Sequence, residues 1–222
     1  MITEERLSTF IDSFEEPLPE YLRELSAYAV ETNVPIIRPR TQSLLKFLMV
    51  MNKPVKILEV GCAIGFSALL MAEFSPEQSS ITTIEKYEPR IPVARENFRL
   101  AGKRFKEQGR TKSIELLEGD AMDILASLDG EYDFIFMDAA KGQYINFLPD
   151  VKRLLAPGGL LVSDNILQDG DVVRSRFAVQ RRDRTIHKRM REYIFALTHD
   201  EDFTTIIMPV GDGVTLSYKK AN

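Results

Sequence analysis

The stretch from Lys56 to Ala72, KILEVGCAIGFSALLMA, decides the fold of this chain. Its first apolar residues predict a buried strand, Gly61 and Gly65 predict a turn, and the run from Ser67 onward predicts a helix. A strand, a glycine turn and a helix in this order bring backbone N–H groups and a helix N-terminus close to a ligand. Ala63 occupies the middle position of the turn, which departs from the G-x-G-x-x-G pattern of NAD-dependent dehydrogenases. The stretch therefore predicts a small-molecule site that differs from the dinucleotide site of those dehydrogenases.

A second signal is the run Ile81-Thr82-Thr83-Ile84-Glu85, which predicts another strand and ends in a carboxylate. An acid at the tip of the second strand, about twenty residues after a glycine turn, is placed to accept hydrogen bonds from both hydroxyls of a ribose. The alternative is an ordinary strand–turn–helix unit in which Glu85 is a surface residue. The combined pattern favours a cofactor that contains a nucleoside.

The composition is that of one globular domain, or one domain with an appendage: 222 residues, 44% hydrophobic and 28% charged. The net charge of −4 gives no overall sign of nucleic-acid binding, so any such site must be a local patch. Cys62 is the single cysteine, which excludes an internal disulfide and a multi-cysteine metal site. No apolar run reaches the length of a membrane span, and the first residues lack the apolar region of a secretion signal. We therefore expect a cytoplasmic protein with no membrane contact.

Hydrophobic periodicity predicts three N-terminal helices followed by alternating strands and helices. The N-terminal helices are predicted at residues 3–14, 20–31 and 39–51. Strands are predicted at 56–59, 80–85, 113–117, 132–137 and 160–163, and helices between them at 67–74, 89–101, 122–128 and 144–155. A solvated connection is predicted from Lys103 to Lys112, and Pro157-Gly158-Gly159 is predicted to end the helix before the fifth strand. Two late strands, 203–208 and 214–219, flank Gly211-Asp212-Gly213 and predict a hairpin.

This order of elements predicts an α/β protein with a Rossmann-like parallel sheet, helices on both faces and a closing hairpin. We predict two parts, in which residues 1–52 form a helical extension packed on the core and residues 53–222 form the sheet domain. The arrangement resembles the seven-stranded fold of S-adenosylmethionine-dependent methyltransferases, with added N-terminal helices.

Polar residues at the carboxyl ends of the strands are candidate site residues, because ligands in such sheets lie beyond those ends. Strand four ends before Asp138, and strand five ends before Asp164 and Asn165. Three oxygen ligands from neighbouring strands, with no histidine or cysteine, suit Mg²⁺. The alternative is two unrelated acids that cap helices. After strand three, Asp120 is placed either to meet the amine of an adenine or to cap the next helix.

The segments LEVGCAIGFS, IEKYE, GDA, FIFMDAAKGQY and GGLLVSDN together resemble the metal-dependent O-methyltransferase family, which includes catechol and caffeoyl-CoA O-methyltransferases. The resemblance implies S-adenosylmethionine as the cofactor, Mg²⁺ as the metal and, as is common in that family, a homodimer. It implies that Asp138, Asp164 and Asn165 bind the metal, and that Lys141 of the D-x-x-K pattern is the general base. The alternative for Lys141 is a surface lysine. The implied cofactor-binding residues are Ile37, Gly61, Ser67, Glu85, Asp120, Ala121 and Asp138, the last of which also lies beside the metal as a catalytic residue.

The segment from Arg174 to Arg191, RSRFAVQRRDRTIHKRMR, is strongly basic in a chain of net negative charge. Clustered arginines suit a phosphate backbone and stack on unpaired bases. The stretch QRRDRTIHKRM resembles the bacterial tRNA 5-hydroxyuridine methyltransferases, which implies the tRNA anticodon stem-loop as the partner. The 5-hydroxyl and O4 of the wobble base would then form a catechol-like pair for the metal. The candidate RNA-binding residues are Arg174, Arg181, Arg182, Arg184, Lys188 and Arg189.

Three alternatives remain open for function. The basic segment could be a solvated amphipathic helix, because Ile186, Met190, Ile194 and Leu197 give it an apolar stripe. The chain could then be a Mg²⁺-dependent methyltransferase of small catechols or caffeoyl-CoA-like esters. It could also be a nucleotide-binding scaffold that has lost its chemistry.

Overall fold

The structure, a computed structural model, describes residues 4–221 and contains one seven-stranded sheet. The strands are β1 (Lys56–Val60), β2 (Ser80–Glu85), β3 (Ser113–Glu118), β4 (Tyr132–Met137), β5 (Leu155–Ser163), β6 (Phe203–Met208) and β7 (Val214–Lys219). The helices are α1 (Glu4–Asp12), α2 (Glu20–Glu31), α3 (Pro39–Asn52), α4 (Phe66–Phe74), α5 (Ile91–Glu107), α6 (Ala121–Ser127), α7 (Tyr144–Leu154) and α8 (Arg184–His199). Two short 3₁₀ helices cover Lys141–Gln143 and Asp171–Val173.

The strand order is β3-β2-β1-β4-β5-β7-β6, and the first five strands along the chain run parallel. Strand β7 pairs antiparallel with both β5 and β6, so the last two strands form the predicted hairpin. Val60 stands opposite Ile84 on one side and Met137 on the other, which brings the ends of β1, β2 and β4 to one edge. The order reverses direction between β1 and β4, and a crevice forms at such a point. The predicted Rossmann-like, seven-stranded methyltransferase fold is confirmed.

Two apolar layers cover the faces of the sheet. Helix α4 buries seven consecutive residues, Phe66–Ala72, because it lies between the sheet and helices α2 and α3. Leu45, Leu48 and Met49 of α3 share that layer, which accounts for the apolar pattern of the N-terminal helices. Helices α6, α7 and α8 cover the opposite face. The boundary predicted between residues 52 and 53 stays a prediction, although α2 and α3 do pack on α4.

Two predicted boundaries are wrong. Helix α5 continues to Glu107, so the first half of the connection predicted from Lys103 is helical; Ala101 and Phe105 are both buried and extend the apolar stripe by another turn. Strand β5 begins at Leu155 rather than residue 160. Pro157-Gly158-Gly159 lies within β5 at an irregularity, where the register with β4 changes between Tyr132 and Phe134. The two glycines, which were predicted to lie before the fifth strand, therefore lie inside it.

The remaining elements begin and end within a few residues of their predicted positions. The first predicted helix, 3–14, is observed as Glu4–Asp12, and residue 3 lies outside the described part of the chain. Within residues 4–221, no helix is both long enough and apolar enough to cross a membrane.

Candidate active site

A cavity of about 740 Å³ opens at the carboxyl ends of the parallel strands. Its wall contains residues that follow β1, β2, β3, β4 and β5, together with the chain that leads into α3. Nine of the residues predicted for cofactor, metal or catalysis line it: Ile37, Gly61, Ser67, Glu85, Asp120, Ala121, Asp138, Lys141 and Asn165. Sequence reasoning missed Arg38, Lys86 and Arg90, which also line the cavity and carry no local signature.

Gly61 allows the β1 turn to pass directly against the end of β4. Its φ is +102°, and a Cβ at this position would lie 2.2 Å from the carbonyl oxygen of Asp138. The backbone N–H groups of Gly61 and Cys62 both donate to the carbonyl oxygen of Ile84, at 3.1 and 3.0 Å. A side chain here would separate strand ends that the cavity needs side by side.

Glu85 is held at the tip of β2 by three backbone N–H groups. Its Oε2 accepts a hydrogen bond from the N–H of Ala63 at 2.6 Å, within the glycine turn. Its Oε1 accepts from the N–H groups of Lys86 and Tyr87, at 2.9 and 2.8 Å. These bonds fix the carboxylate at the cavity wall, and Oε2, which accepts one of them, keeps a lone pair for a ribose hydroxyl. Glu85 thus lines the cavity in a fixed position, and its contact with a ribose stays a prediction.

Glu59 lies immediately behind the cavity wall and is fully buried. Its Oε2 accepts a hydrogen bond from Oγ1 of Thr83, and its second neighbour is Ser67, which lines the cavity. Burial raises the pKa of Glu59 to about 8, against the opposing effect of these two hydroxyls. Among the described residues, Oε1 of Glu59 has no hydrogen-bond partner. Oε1 of Glu59 is thus a buried polar atom without a partner behind the cavity wall, although Glu59 itself does not line the cavity.

Asp120 caps helix α6, which was one of its two predicted roles. Its Oδ1 accepts a hydrogen bond from the N–H of Met122 at 2.9 Å, and its Oδ2 lies 3.2 Å from Nζ of Lys86. These contacts lower the pKa of Asp120. Asp120 and Ala121 also line the cavity, so the contact with an adenine amine stays a prediction.

Asp138, Asp164 and Asn165 converge as predicted from their places at the ends of β4 and β5. Nδ2 of Asn165 donates to Oδ1 of Asp138 at 2.8 Å, and the N–H of Asn165 donates to Oδ1 of Asp164 at 2.8 Å. Asn165 has a φ of +59°, a left-handed conformation that asparagine tolerates better than most residues. The hydroxyl of Thr41 also approaches Oδ1 of Asp164, at 3.5 Å. These contacts join the side chains of Asp138 and Asn165 and hold the Asp164 carboxylate beside them, although Asp164 is 1% exposed and does not line the cavity.

The electrostatics of this group fit a divalent cation. Burial and the neighbouring Asp138 carboxylate raise the pKa of Asp164 to about 7, and burial raises the pKa of Asp138 as well. Two buried carboxylates therefore oppose each other's ionisation, and a bound cation would remove that opposition. Within residues 4–221, no three His, Cys, Asp or Glu side chains are grouped as a possible metal site, and the group at this point consists of two carboxylates and the amide of Asn165. Such an oxygen-only set is suited to Mg²⁺.

Lys141 begins the 3₁₀ helix that follows β4, and it lines the cavity. Its Nζ lies 3.4 Å from Oδ2 of Asp212, which is in the turn between β6 and β7. About a third of its side chain is exposed, so Lys141 is neither a buried core residue nor a free surface lysine.

Comparison with known proteins identifies the family to which this site belongs. A family model described as O-methyltransferase matches residues 11–220.

The chain is a member of the O-methyltransferase family.

It is 30% identical over 210 residues to caffeoyl-CoA O-methyltransferase 2 of Populus trichocarpa, a match that covers 89% of this chain and 81% of that protein. It is 33% identical to caffeoyl-CoA O-methyltransferase of Citrus natsudaidai, over 72% of this chain and 69% of that protein. Among solved structures, the S-adenosylhomocysteine-bound methyltransferase PaMTH1 of Podospora anserina superposes with a TM-score of 0.84 at 26% identity, covering 98% of this chain and 95% of that one. The chain is thus an S-adenosylmethionine-dependent O-methyltransferase.

In this O-methyltransferase the basic segment divides into a loop and a helix. Arg174, Arg181 and Arg182 lie in the loop before α8, whereas Arg184, Lys188 and Arg189 belong to α8 itself. The helix is amphipathic, as the alternative interpretation expected, and it buries His187, Met190, Tyr193 and Leu197. That interpretation does not extend to the loop, which contains the remaining arginines outside any amphipathic helix.

The basic segment adjoins the cavity through the residue after Lys141. Nη1 of Arg189 donates to the carbonyl oxygen of Gly142 at 2.9 Å, and the side chain of Ile186 lies against the same glycine. Arg189 therefore has a structural partner, and so does Lys188, which lies 3.5 Å from Oε1 of Glu192. The structure brings the start of α8 to the rim of the active site, although none of the predicted RNA-binding residues lines the cavity itself.

Proposed function

We propose that this chain is a Mg²⁺-dependent O-methyltransferase that methylates the 5-hydroxyl of 5-hydroxyuridine at the wobble position of the tRNA anticodon, giving 5-methoxyuridine. The observation that carries this proposal is an exposed loop of arginines and phenylalanine beside the active-site cavity. The oxygen-only site at the ends of β4 and β5 supports the metal requirement.

The residues of the chain have separate tasks in this reaction. When bound, S-adenosylmethionine supplies an electrophilic methyl group, and Mg²⁺ supplies charge that favours the deprotonated form of a substrate hydroxyl. Glu85 and the glycine turn hold the cofactor, while Asp138, Asp164 and Asn165 would hold the metal. Lys141, at the edge of the same cavity, is placed to take the proton from the acceptor hydroxyl.

The loop before α8 has its backbone held by α8, while Arg176, Phe177 and Arg181 are exposed. Arg174 and Arg182 are exposed as well, and each lies beside an acid: Arg174 is 3.2 Å from Asp171 and Arg182 is 3.4 Å from Asp183. Nε2 of His187 contacts the carbonyl oxygen of Arg174 at 3.1 Å, Nη1 of Arg191 donates to that of Val172 at 3.0 Å, and Nε of Arg184 donates to that of Val179 at 3.3 Å. Three polar side chains of α8 thus anchor the loop to the helix.

The exposed side chains of this loop suit unpaired RNA. Phe177 is 86% exposed and follows Arg176 directly, and Arg176, Arg181 and Arg182 are also exposed. An aromatic ring among arginines offers a surface for a base and partners for its phosphates, which is how single-stranded loops are commonly bound. A solvent-exposed phenylalanine also has a hydrophobic cost that contact with a partner would relieve.

A second candidate is a Mg²⁺-dependent methyltransferase of caffeoyl-CoA-like esters or small catechols. The identity to two plant caffeoyl-CoA O-methyltransferases favours it. A CoA ester also carries phosphates and an adenine, so the same loop could contact it. The two candidates differ in what the loop must recognise: a folded RNA hairpin in one, and a small molecule in the other.

The deciding experiment is nucleoside mass spectrometry of tRNA from a strain that lacks this chain. We expect 5-hydroxyuridine to accumulate and 5-methoxyuridine to disappear, and complementation to reverse both changes. In vitro, the purified chain should methylate such tRNA in the presence of Mg²⁺. Unchanged 5-methoxyuridine in the deletion strain, together with turnover of caffeoyl-CoA in vitro, would establish the second candidate instead.

A matched pair of variants tests the loop. Replacing Arg181 and Arg182 by glutamate should abolish activity on tRNA without changing S-adenosylmethionine affinity, because both side chains lie outside the cavity. The control is Arg23→Glu, an exposed arginine of α2. Full activity of the double variant on tRNA would show that this loop does not bind the RNA.

We also propose that the chain forms a homodimer. Phe10 of α1, Phe14 just after it, and Phe47 and Val50 of α3 are more than half exposed, and a second copy could cover these apolar side chains. Light scattering on the purified chain measures the mass directly, and a mass of one chain at micromolar concentration would refute this proposal.

A further inference from the structure

The turn between β6 and β7 brings one buried acid to the active site. Asp212 is 5% exposed and lies between Gly211 and Gly213. Its Oδ2 lies 3.4 Å from Nζ of Lys141, and its Oδ1 accepts a hydrogen bond from the N–H of Asp169 at 2.5 Å. One carboxylate therefore contacts both the candidate base and the loop that follows the metal ligands.

The main chain of the same turn holds that loop in register. The carbonyl oxygen of Asp212 accepts from the N–H of Leu167 at 2.9 Å, and that of Gly213 accepts from the N–H of Ile166 at 3.0 Å. A Cβ on Gly213 would lie 2.3 Å from Leu167, so the two segments approach each other as closely as glycine allows. The position of Asp212 relative to Asn165 is thereby fixed by short, directional contacts.

Asp212 is also placed to be the counter-charge of the ammonium that Lys141 forms when its neutral amine takes a proton. Among the described residues it is the one acid within ion-pair distance of Nζ. A lysine side chain has a flexible four-carbon stem, so its amine needs a fixed partner if it is to stay at one place. The separation of 3.4 Å is longer than a strong charge-assisted hydrogen bond of about 2.8 Å, so the contact orients the amine and leaves it able to reach a substrate.

We propose that Asp212 positions Lys141 for proton abstraction and stabilises the ammonium that this step produces. The inference rests on the role of Lys141 in the proposed function. In the step, the acceptor O–H bond breaks and its proton forms an N–H bond on Lys141. The oxygen forms a bond to the methyl carbon, and the sulfur–carbon bond of the donor breaks with its electron pair going to sulfur. Asp212 keeps its own proton state throughout and acts as the orienting acid of a catalytic triad does.

A double-mutant cycle tests this role. Asp212→Asn keeps the shape of the side chain and an oxygen for the N–H of Asp169, but it removes the charge next to Lys141. We expect kcat to fall by about 10- to 100-fold with an unchanged KM for S-adenosylmethionine. Lys141→Met should reduce kcat by about 100-fold or more. The double variant should be no slower than Lys141→Met alone, because Asp212 acts through Lys141.

The assay uses tRNA that carries 5-hydroxyuridine, or caffeoyl-CoA if the wild type turns over that substrate instead. The control is Asp150→Asn, which removes an acid from the ion pair with Arg153 on α7 and should leave kcat unchanged. If Lys141→Met retains full activity, both the base in the proposed function and this inference are wrong. If Lys141→Met is inactive while Asp212→Asn has full activity, or if the two losses multiply in the double variant, only the inference is wrong.

Hydrogen exchange separates orientation of Lys141 from simple support of the loop. Asp212→Ala should accelerate exchange of residues 166–171, because the N–H of Asp169 loses its acceptor. Asp212→Asn should exchange at the wild-type rate there and still lose kcat. Equal acceleration in both variants would attribute the loss to a loosened loop and would overturn the proposal.

Discussion

Nδ2 of Asn165 lies 2.8 Å from Oδ1 of Asp138, and this contact joins the ends of β4 and β5. The amide nitrogen is occupied by that bond, so the amide oxygen is left for a cation. Alanine at position 165 would remove both an oxygen ligand and the bond that orients Asp138. We expect Asn165→Ala to weaken Mg²⁺ binding by about tenfold or more, measured by calorimetry with Mg²⁺ alone. Asn146→Ala is the control, because this exposed asparagine of α7 is not a predicted metal ligand; its side chain contacts Gln143 of the preceding 3₁₀ helix. Equal Mg²⁺ affinity of wild type and Asn165→Ala would place the metal elsewhere.

Glu85 should contribute to cofactor affinity through its charge. In Glu85→Gln one oxygen becomes an NH₂ group, which donates only and therefore cannot accept from the backbone N–H groups that face it or from a ribose hydroxyl. Hydrogen bonds to a charged group contribute about 1.5–3 kcal/mol, so S-adenosylmethionine should bind about 10- to 100-fold more weakly. Calorimetric titration with S-adenosylmethionine measures the change, and the exposed Glu88→Gln serves as the matched control. If Glu85→Gln binds S-adenosylmethionine with wild-type affinity, Glu85 is not part of the cofactor site. NAD should bind to neither the wild type nor the variant.

Phe177 should contribute stacking energy to RNA binding. Loss of a stacked base costs about 1–3 kcal/mol, so Phe177→Ala should raise the KM for hydroxyuridine-containing tRNA several-fold or more without changing cofactor affinity. Phe177→Tyr should retain most of the affinity, because tyrosine presents a similar ring. The control is Phe195→Ala, in which the lost ring is 62% exposed and stacks on His199 of α8. A KM that changes equally in the Phe177 and Phe195 variants would argue against specific stacking.

Glu59 should make the stability of the cofactor-free chain depend on pH. Its pKa rises from an ordinary value of 4.5 to about 8 on folding, so the native state binds more protons between these two values. The stabilisation is complete below pH 4.5 and is lost as pH rises through 8. Glu59→Gln has no such titration. The free energy of unfolding of wild type minus that of the variant should therefore fall from pH 5 to pH 8, by an amount on the order of a few kcal/mol.

Denaturant unfolding in EDTA at several pH values measures this difference, and Glu88→Gln should show none. Asp138 and Asp164 titrate in both proteins, so their contribution cancels in the comparison to a first approximation. Parallel stability curves for wild type and Glu59→Gln would mean that Glu59 stays ionised in the fold.

The sequence was informative wherever a short apolar run was bounded by turn residues. Strands β2, β4, β6 and β7 have the predicted bounds for this reason. The predicted parallel order of the strands was then enough to predict that Asp138 lies close to Asn165, as observed. The prediction for β5 was too short, because Pro157-Gly158-Gly159 is a sequence that usually ends an element. In the structure, pairing with β4 keeps that segment extended. Tertiary pairing overrode the local preference there.

Asp212 could not have been assigned from the sequence. It lies 71 positions from Lys141, and their contact depends on the conformation of the intervening loop. In that loop Asn165, Gln168 and Asp169 all have positive φ. Positive φ is uncommon in residues other than glycine, and no sequence pattern predicts three such residues in one loop. The Gly211-Asp212-Gly213 sequence predicted a hairpin, but it did not predict which residues the hairpin turn contacts. The proposed role of the basic segment likewise rests on two structural observations that the sequence does not provide: its backbone is anchored to α8, and Phe177 is exposed.

The strand order divides the labour of catalysis between two halves of the protein. Residues after β1, β2 and β3 are the ones proposed to hold the methyl donor, whereas the proposed metal ligands, Lys141 and Asp212 follow β4, β5 and β6. The loop and helix proposed to bind the acceptor belong to the second half alone. Evolution can therefore remodel which molecule is methylated while the donor pocket keeps its architecture, and a laboratory selection for a new acceptor should find its useful substitutions between residues 166 and 191.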